Sequence, residues 1–216
     1  LNSTGDDFPQ LLEELRSFLR PAVANQPVRA VPGAGLDIPI WLLGSGGFSA
    51  QLAGQLGLPF ASAGHFSPQN LLPGLELYRR NFRPSAVLDG PRAMVCVNVI
   101  AADTDAEAQR LATSQHQAHL NLIRGMPSLL PLPLDSMDGR WNPQEQAAVE
   151  SFLRASIIGN PATVTAKLEA LAEETQADEL MVHSMIFDHT ARLRSYEILA
   201  EQVLAPAKLR QTPVLA

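Results

Sequence analysis

The residues with the clearest chemical capacity lie between Ile38 and Ala53, where the apolar run Ile-Pro-Ile-Trp-Leu-Leu passes through Gly44-Ser45-Gly46-Gly47 into the helical spacing of Phe48-Ser49-Ala50-Gln51-Leu52-Ala53. A strand that enters a tight glycine turn and emerges as a helix presents backbone N–H groups and the positive end of the helix dipole at one spot. That is an anion cradle, and a phosphate is its natural ligand. Gly44, Ser45, Gly46, Gly47, Phe48 and Ser49 are the candidate residues, the two serines adding hydroxyl donors. The same pattern also suits a turn that uses glycine for backbone freedom alone. It lacks the third spaced glycine and the downstream acid of a dinucleotide fingerprint, and no Gly-x-Ser-x-Gly elbow surrounds either serine.

Other groups follow apolar runs in the same way. His65-Phe66 comes after Leu58–Ala63, and Asp188-His189 after Glu179–Phe187. Residues just past the carboxyl ends of parallel strands contact ligands in α/β proteins, so all four are candidates for an active-site face. Asp188 also suits a plain helix cap. His183 lies inside its run, where a core hydrogen bond is the simpler reading. His116 and His119 share a helix face without a third ligand at metal-like spacing, which predicts a solvated face and no metal site. Arg79-Arg80, Arg192 and Arg194 are explained by helix-surface ion pairs with Glu76 and Glu197. Cys96, the one cysteine, sits in an apolar strand and reads as an inert thiol.

The elements that must hold these residues alternate in type. An opening helix over 7–19 carries an apolar stripe of Leu11, Leu12, Leu15, Phe18 and Leu19 that needs a cover. Strands are expected at 38–43, 58–63, 93–101 and 179–187, with helices between them. Ser67-Pro68, Thr104-Asp105-Ala106-Glu107, Asn142-Pro143-Gln144-Glu145 and Asn160-Pro161 mark helix starts. Residues 125–141, with three prolines and no periodicity, read as an inserted lid loop whose base Trp141 seals.

Alternating strands and helices predict parallel pairing, either in an open doubly wound sheet or in a (β/α) barrel. The 216 residues, 46% hydrophobic and 18% charged, suit one well-buried domain over 1–216. A net charge of -6 without basic clusters argues against a nucleic-acid partner. The absence of a long apolar run argues against a membrane one, and a cytoplasmic location is the default expectation.

Four segments together resemble the luciferase-like monooxygenase family, closest to a bacterial branch: 42–53; Gly57-Leu58-Pro59-Phe60 with His65-Phe66; Val97-Asn98-Val99-Ile100-Ala101-Ala102-Asp103-Thr104; and 177–197, from Ala177-Asp178-Glu179-Leu180-Met181 through Asp188-His189 to Tyr196-Glu197. The resemblance implies a (β/α)8 TIM barrel of which this chain holds the last four βα units, strands five to eight. It implies a flavin-dependent enzyme that uses reduced flavin and dioxygen on a small organic substrate, with a flavin reductase as partner. The turn Gly44–Ser49 then holds the phosphate of flavin mononucleotide (FMN), and a deazaflavin is the alternative cofactor. The family's phosphate-binding arginine and luciferase's active-site histidines belong to the missing half, so no catalytic residue carries over to this chain. A half barrel exposes sheet edges and an apolar interior, which predicts a homodimer. It also leaves open a non-catalytic binding or assembly module.

Overall fold

The computed structural model describes the backbone of residues 7–204 and the side chains of residues 7–202. The chain divides into two compact units, 1–40 and 41–216. In the first, helix α1 (Phe8–Leu19) buries Leu12 and leaves Leu11 and Leu15 about half exposed. The loop that follows returns so that Gly35 N–H donates to Leu19 O, closing the helix end.

The second unit is a parallel α/β fold: β1 (Leu42–Gly44), α2 (Gly47–Leu56), β2 (Phe60–Ser62), α3 (Leu71–Asn81), β3 (Ala93–Ala101), α4 (Asp105–Ile123), α5 (Pro143–Leu153), β4 (Ile157–Gly159), α6 (Pro161–Thr175), β5 (Glu179–His183) and α7 (His189–Leu199). All pairings are parallel. Phe60 N–H donates to Arg92 O and His65 N–H to Cys96 O, so the even-numbered backbone groups along β3 face β2. Asp178 N–H donates to Ala93 O on the other edge, while Ala102 N–H donates to Gly159 O on the β2 side. The wall therefore runs β1-β2-β3-β5 in chain order, and β4 is a short extension beyond the end of β2. Four strands in chain order have no reversal point, which a doubly wound sheet requires.

Five strands replace the four expected. β4 has three residues, too few to show a period. The first strand starts at Leu42, whose N–H donates to Pro59 O, and Pro39 within the expected span has no N–H to give a ladder. The last stops at His183, because Ser184 N–H turns to Tyr196 Oη and Met185 N–H to Asn98 Oδ1.

Register separates the two faces of the wall. On one, Val97, Val99 and Ala101 pack with Ile157, with Val164 and Leu168 of α6 and with Ile198 and Leu199 of α7, while Leu180 and Val182 lean on the same cluster. Truncating a residue such as Ile198 to alanine there costs about 2–5 kcal/mol. On the other face lie Leu43, Ala61, Met94, Cys96, Asn98, Met181 and His183. Helix α4 covers only the carboxyl end of that face, through Ala108, Leu111 and Ala112 on Ile100 and through Asn98 Nδ2 donating to Gln115 Oε1. Further down, Leu43 and Met181 are 62% and 52% exposed, although both are apolar.

Four helices begin at the caps read from the sequence. Thr104, Asn142, Asn160 and Asp188 each accept an N–H from the first turn, and Asn142 with Glu145 forms a full capping box. Ser67 does not cap. Its hydroxyl accepts from Gln69 and Asn70 within a 3-10 turn (Pro68–Asn70) that leads into α3.

Candidate functional site

The carboxyl ends of β1 and β2 carry the first two candidate groups, and the backbone ties them together. Ala63 N–H donates to Gly44 O at 2.9 Å, and Asn70 Nδ2 donates to Ser45 O at 3.2 Å. The loop that bears His65 and Phe66 is thus clamped at both ends to the glycine turn.

The geometry of that turn fits an anion. Gly46 occupies the N-cap of α2 in extended conformation, no side chain caps the helix, and its first turn holds no acid. A Cβ at Gly46 would meet nothing within 4 Å, so the space before the helix is open. A Cβ at Gly44 would lie 2.6 Å from Ser49 Cβ, so only glycine lets that serine fold back over the turn. Ser45, Gly46, Gly47 and Phe48 are exposed and Ser49 is half-buried. The far end of α2 is fixed by Gly57, whose φ of 62° closes the helix in the left-handed region, where a Cβ would also strike Arg83 O. Phosphate oxygens at the open end would meet backbone donors and a favourable dipole.

The segment after β5 is built differently. Asp188 Oδ1 accepts Ala191 N–H at 2.7 Å, so the carboxylate already fills the N-terminus of α7. His189 Nδ1 is hydrogen-bonded to Arg192 Nη2. Asp188 lines a cavity of about 510 Å³ between α4 and α7 together with Asp103, Glu107 and Arg194, and none of the cradle residues reaches it. Three carboxylates make that cavity a poor phosphate site. Arg194 there pairs with Asp103 and also with Glu197 and Glu201.

The structure adds a residue to the cradle side that sequence reasoning set aside. His183 makes no hydrogen bond to its ring among the described residues; its ring stands edge-on to His65 with centroids 5.1 Å apart. Burial lowers the pKa of both rings, and His65 lowers that of His183 further. His65 also stacks on Phe66 at 4.2 Å, and its Nδ1 is buried without a partner. The pairing joins residues 118 positions apart, and only the register Asn98↔His183 discloses it.

Other expectations are corrected. His116 and His119 do not form a solvated face: they pack on Trp141 and Phe152 between α4 and α5, and burial is the main cause of the lowered pKa of His116. Arg79 makes no ion pair with Glu76; it donates to Thr175 O and Gln176 O and so closes the C-terminus of α6. Arg80 is the residue near Glu76. Cys96 is buried, with its pKa raised by burial, as an inert thiol should be.

Residues 125–141 lie along α4. Leu134 N–H donates to Thr113 Oγ1, Gln117 Nε2 donates to Leu132 O, and Arg124 joins Arg140 O to both Glu145 oxygens. Arg124 and the Asn142 N–H hold the Glu145 carboxyl down to about 2. Met137 is buried, while Leu129 is 92% exposed. Among the described residues no helix is long and apolar enough to cross a membrane, and no cluster of three or more metal-ligating side chains occurs.

The second unit is thus a parallel α/β fold with an uncapped helix N-terminus at the carboxyl end of its first strand. Residues 11–179 match the luciferase-like monooxygenase family, and the chain belongs to it. It is 57% identical over 201 residues to the protein YvbT of Bacillus subtilis, covering 92% of this chain and 60% of that one. It is 50% identical over 193 residues to a luciferase-like monooxygenase of Escherichia coli, covering 89% of this chain and 58% of the relative. The chain thus spans about three-fifths of the length of these relatives. Among solved structures, apo-MsnO8 superposes with a TM-score of 0.82 at 35% identity, over 99% of this chain and 63% of that one. The monooxygenase RslO1 of Streptomyces bottropensis superposes at 0.61 with 16% identity, over 94% and 63%, a likeness of fold alone.

Proposed function

We propose that this chain supplies strands five to eight of a (β/α)8 barrel, and that the complete barrel is a flavin-dependent monooxygenase acting on a small organic substrate. The observation that carries the reading is the open N-terminus of α2, an anion cradle with no side-chain cap at a strand's carboxyl end. The barrel half is supported by the chain-order wall, by the exposed apolar Leu43 and Met181 on its uncovered face, and by the share of the relatives that the chain spans.

In this reading the amides around Gly46 and Gly47, with the Ser49 hydroxyl, bind the FMN phosphate. Leu43, Phe66 and Met181 exclude water from the ring end, and α4 closes the carboxyl end of β3. Residues 125–141 are the lid, latched at its base by Arg124 and Glu145. When bound, reduced flavin supplies the electrons with which dioxygen is split between substrate and water.

FMN fluorescence titrated with the full-length protein tests the proposal. Saturable quenching is expected; a folded protein that leaves the emission unchanged overturns it. A deazaflavin titrated in parallel identifies the cofactor, since the phosphate cradle serves both and the ring end decides.

A further inference from the structure

The His65–His183 pair has no role in the phosphate cradle, and its surroundings do not explain it as structure. His65 Nδ1 is buried with no hydrogen bond of good geometry, the Cys96 carbonyl acting on the ring only enough to raise its pKa against burial, and an unpaired buried nitrogen costs about 1–3 kcal/mol. His183 makes none to its ring among the described residues. Both rings lie on the face of the wall opposite the α6–α7 core, beside Cys96 and Asn98. The loop that carries His65 is clamped to the glycine turn through Gly44 O and Ser45 O. At about 4.8 Å per strand, a point between β2 and β5 lies roughly 10 Å along the wall from the cradle. A linker between a phosphate and a planar ring spans that distance.

We propose that His65 is a ligand-contacting residue and His183 its positioning partner, together receiving the uncharged hydrogen-bonding edge of the ring whose phosphate sits at α2. The inference rests on the flavin reading above and adds residues to it. The Cys96 carbonyl accepts the His65 N–H and also raises the pKa of its ring, Asn98 is in register with His183, and no described carboxylate or cation exerts a charge effect on either ring. Both rings are therefore neutral at pH 7, able to donate one hydrogen bond and accept one. Protonating one ring disfavours protonating the other, so the pair takes up its second proton only at a lower pH than its first.

The test is histidine ring NMR on the full-length protein with and without FMN. Midpoints for His65 and His183 below the usual histidine value are expected, and saturating FMN should displace the His65 ring signals. In the wild type the two rings should titrate as a coupled pair, and His183→Gln should reduce the His65 curve to a single simple step, a change of shape that looser packing, which only shifts a midpoint, would not produce. His65→Gln should weaken FMN and riboflavin equally, by roughly tenfold, the worth of about one hydrogen bond. Quenching of FMN with no displacement of His65 overturns this inference and leaves the flavin reading intact. Absence of quenching removes the flavin reading and the ligand role together. The wild-type arm needs no variant, so misfolding of a substituted protein does not spare the proposal.

Discussion

The N-termini of α2 and α7 both begin where a strand of the wall ends, and they treat negative charge in opposite ways. Helix α7 carries its own anion, the Asp188 carboxylate bonded to Ala191 N–H, in a cavity with two more acids. Helix α2 has a glycine where α7 has the aspartate, no acid in its first turn and open space before it. The difference teaches that a strand-end position is permissive and that the cap decides. A helix that stabilises itself with a carboxylate has spent the donors that would bind a phosphate.

Making α2 resemble α7 gives the largest expected effect. Gly46→Asp adds a cap, which raises stability by only a few tenths of a kcal/mol over glycine. It also sets a carboxylate at the mouth of the cradle, and two unit charges about 5 Å apart at an effective dielectric of about 20 repel by roughly 3 kcal/mol. FMN affinity should fall about 100-fold or more in a fluorescence titration while the melting temperature holds or rises. Unchanged affinity in a folded variant would remove the phosphate from this turn.

The converse change is smaller and falls on stability. Asp188→Ala leaves the first-turn amides of α7 without their cap and should cost about 1 kcal/mol, or 2–4 °C in melting temperature for a chain of this size. Asp188→Asn, which keeps an acceptor, should retain most of it. FMN affinity should not move in either variant. A loss of affinity in both would place Asp188 in the ligand site and erase the contrast with α2.

The caps explain why much of the fold was legible. Thr104, Asn142, Asn160 and Asp188 act within three residues of themselves, so their function is written in local sequence. The glycine turn was legible for the same reason. His183 was not, because its partner lies on another strand and register alone brings them together. Nor was β4, whose three residues make sense only beside Val99–Ala101. The packing of His116 and His119 against Trp141 and Phe152 also depends on α5 folding back along α4, which helical spacing does not disclose.

Asn70 offers the finest cut between the two helix ends, because it touches the cradle without lining it. Its amide holds Ser45 O at 3.2 Å and Ser67 Oγ at 3.0 Å, so it orients the turn that precedes Gly46. Asn70→Ala removes a partly solvated hydrogen bond worth about 0.5–1 kcal/mol. If the cradle must be preorganised to bind, that energy is drawn from binding, and FMN affinity should drop a few-fold while riboflavin, which lacks the phosphate, is unaffected. An equal drop for both ligands would mean that Asn70 acts through the His65 loop rather than through the turn. The open helix end would then need no brace, and the cap alone would separate α2 from α7.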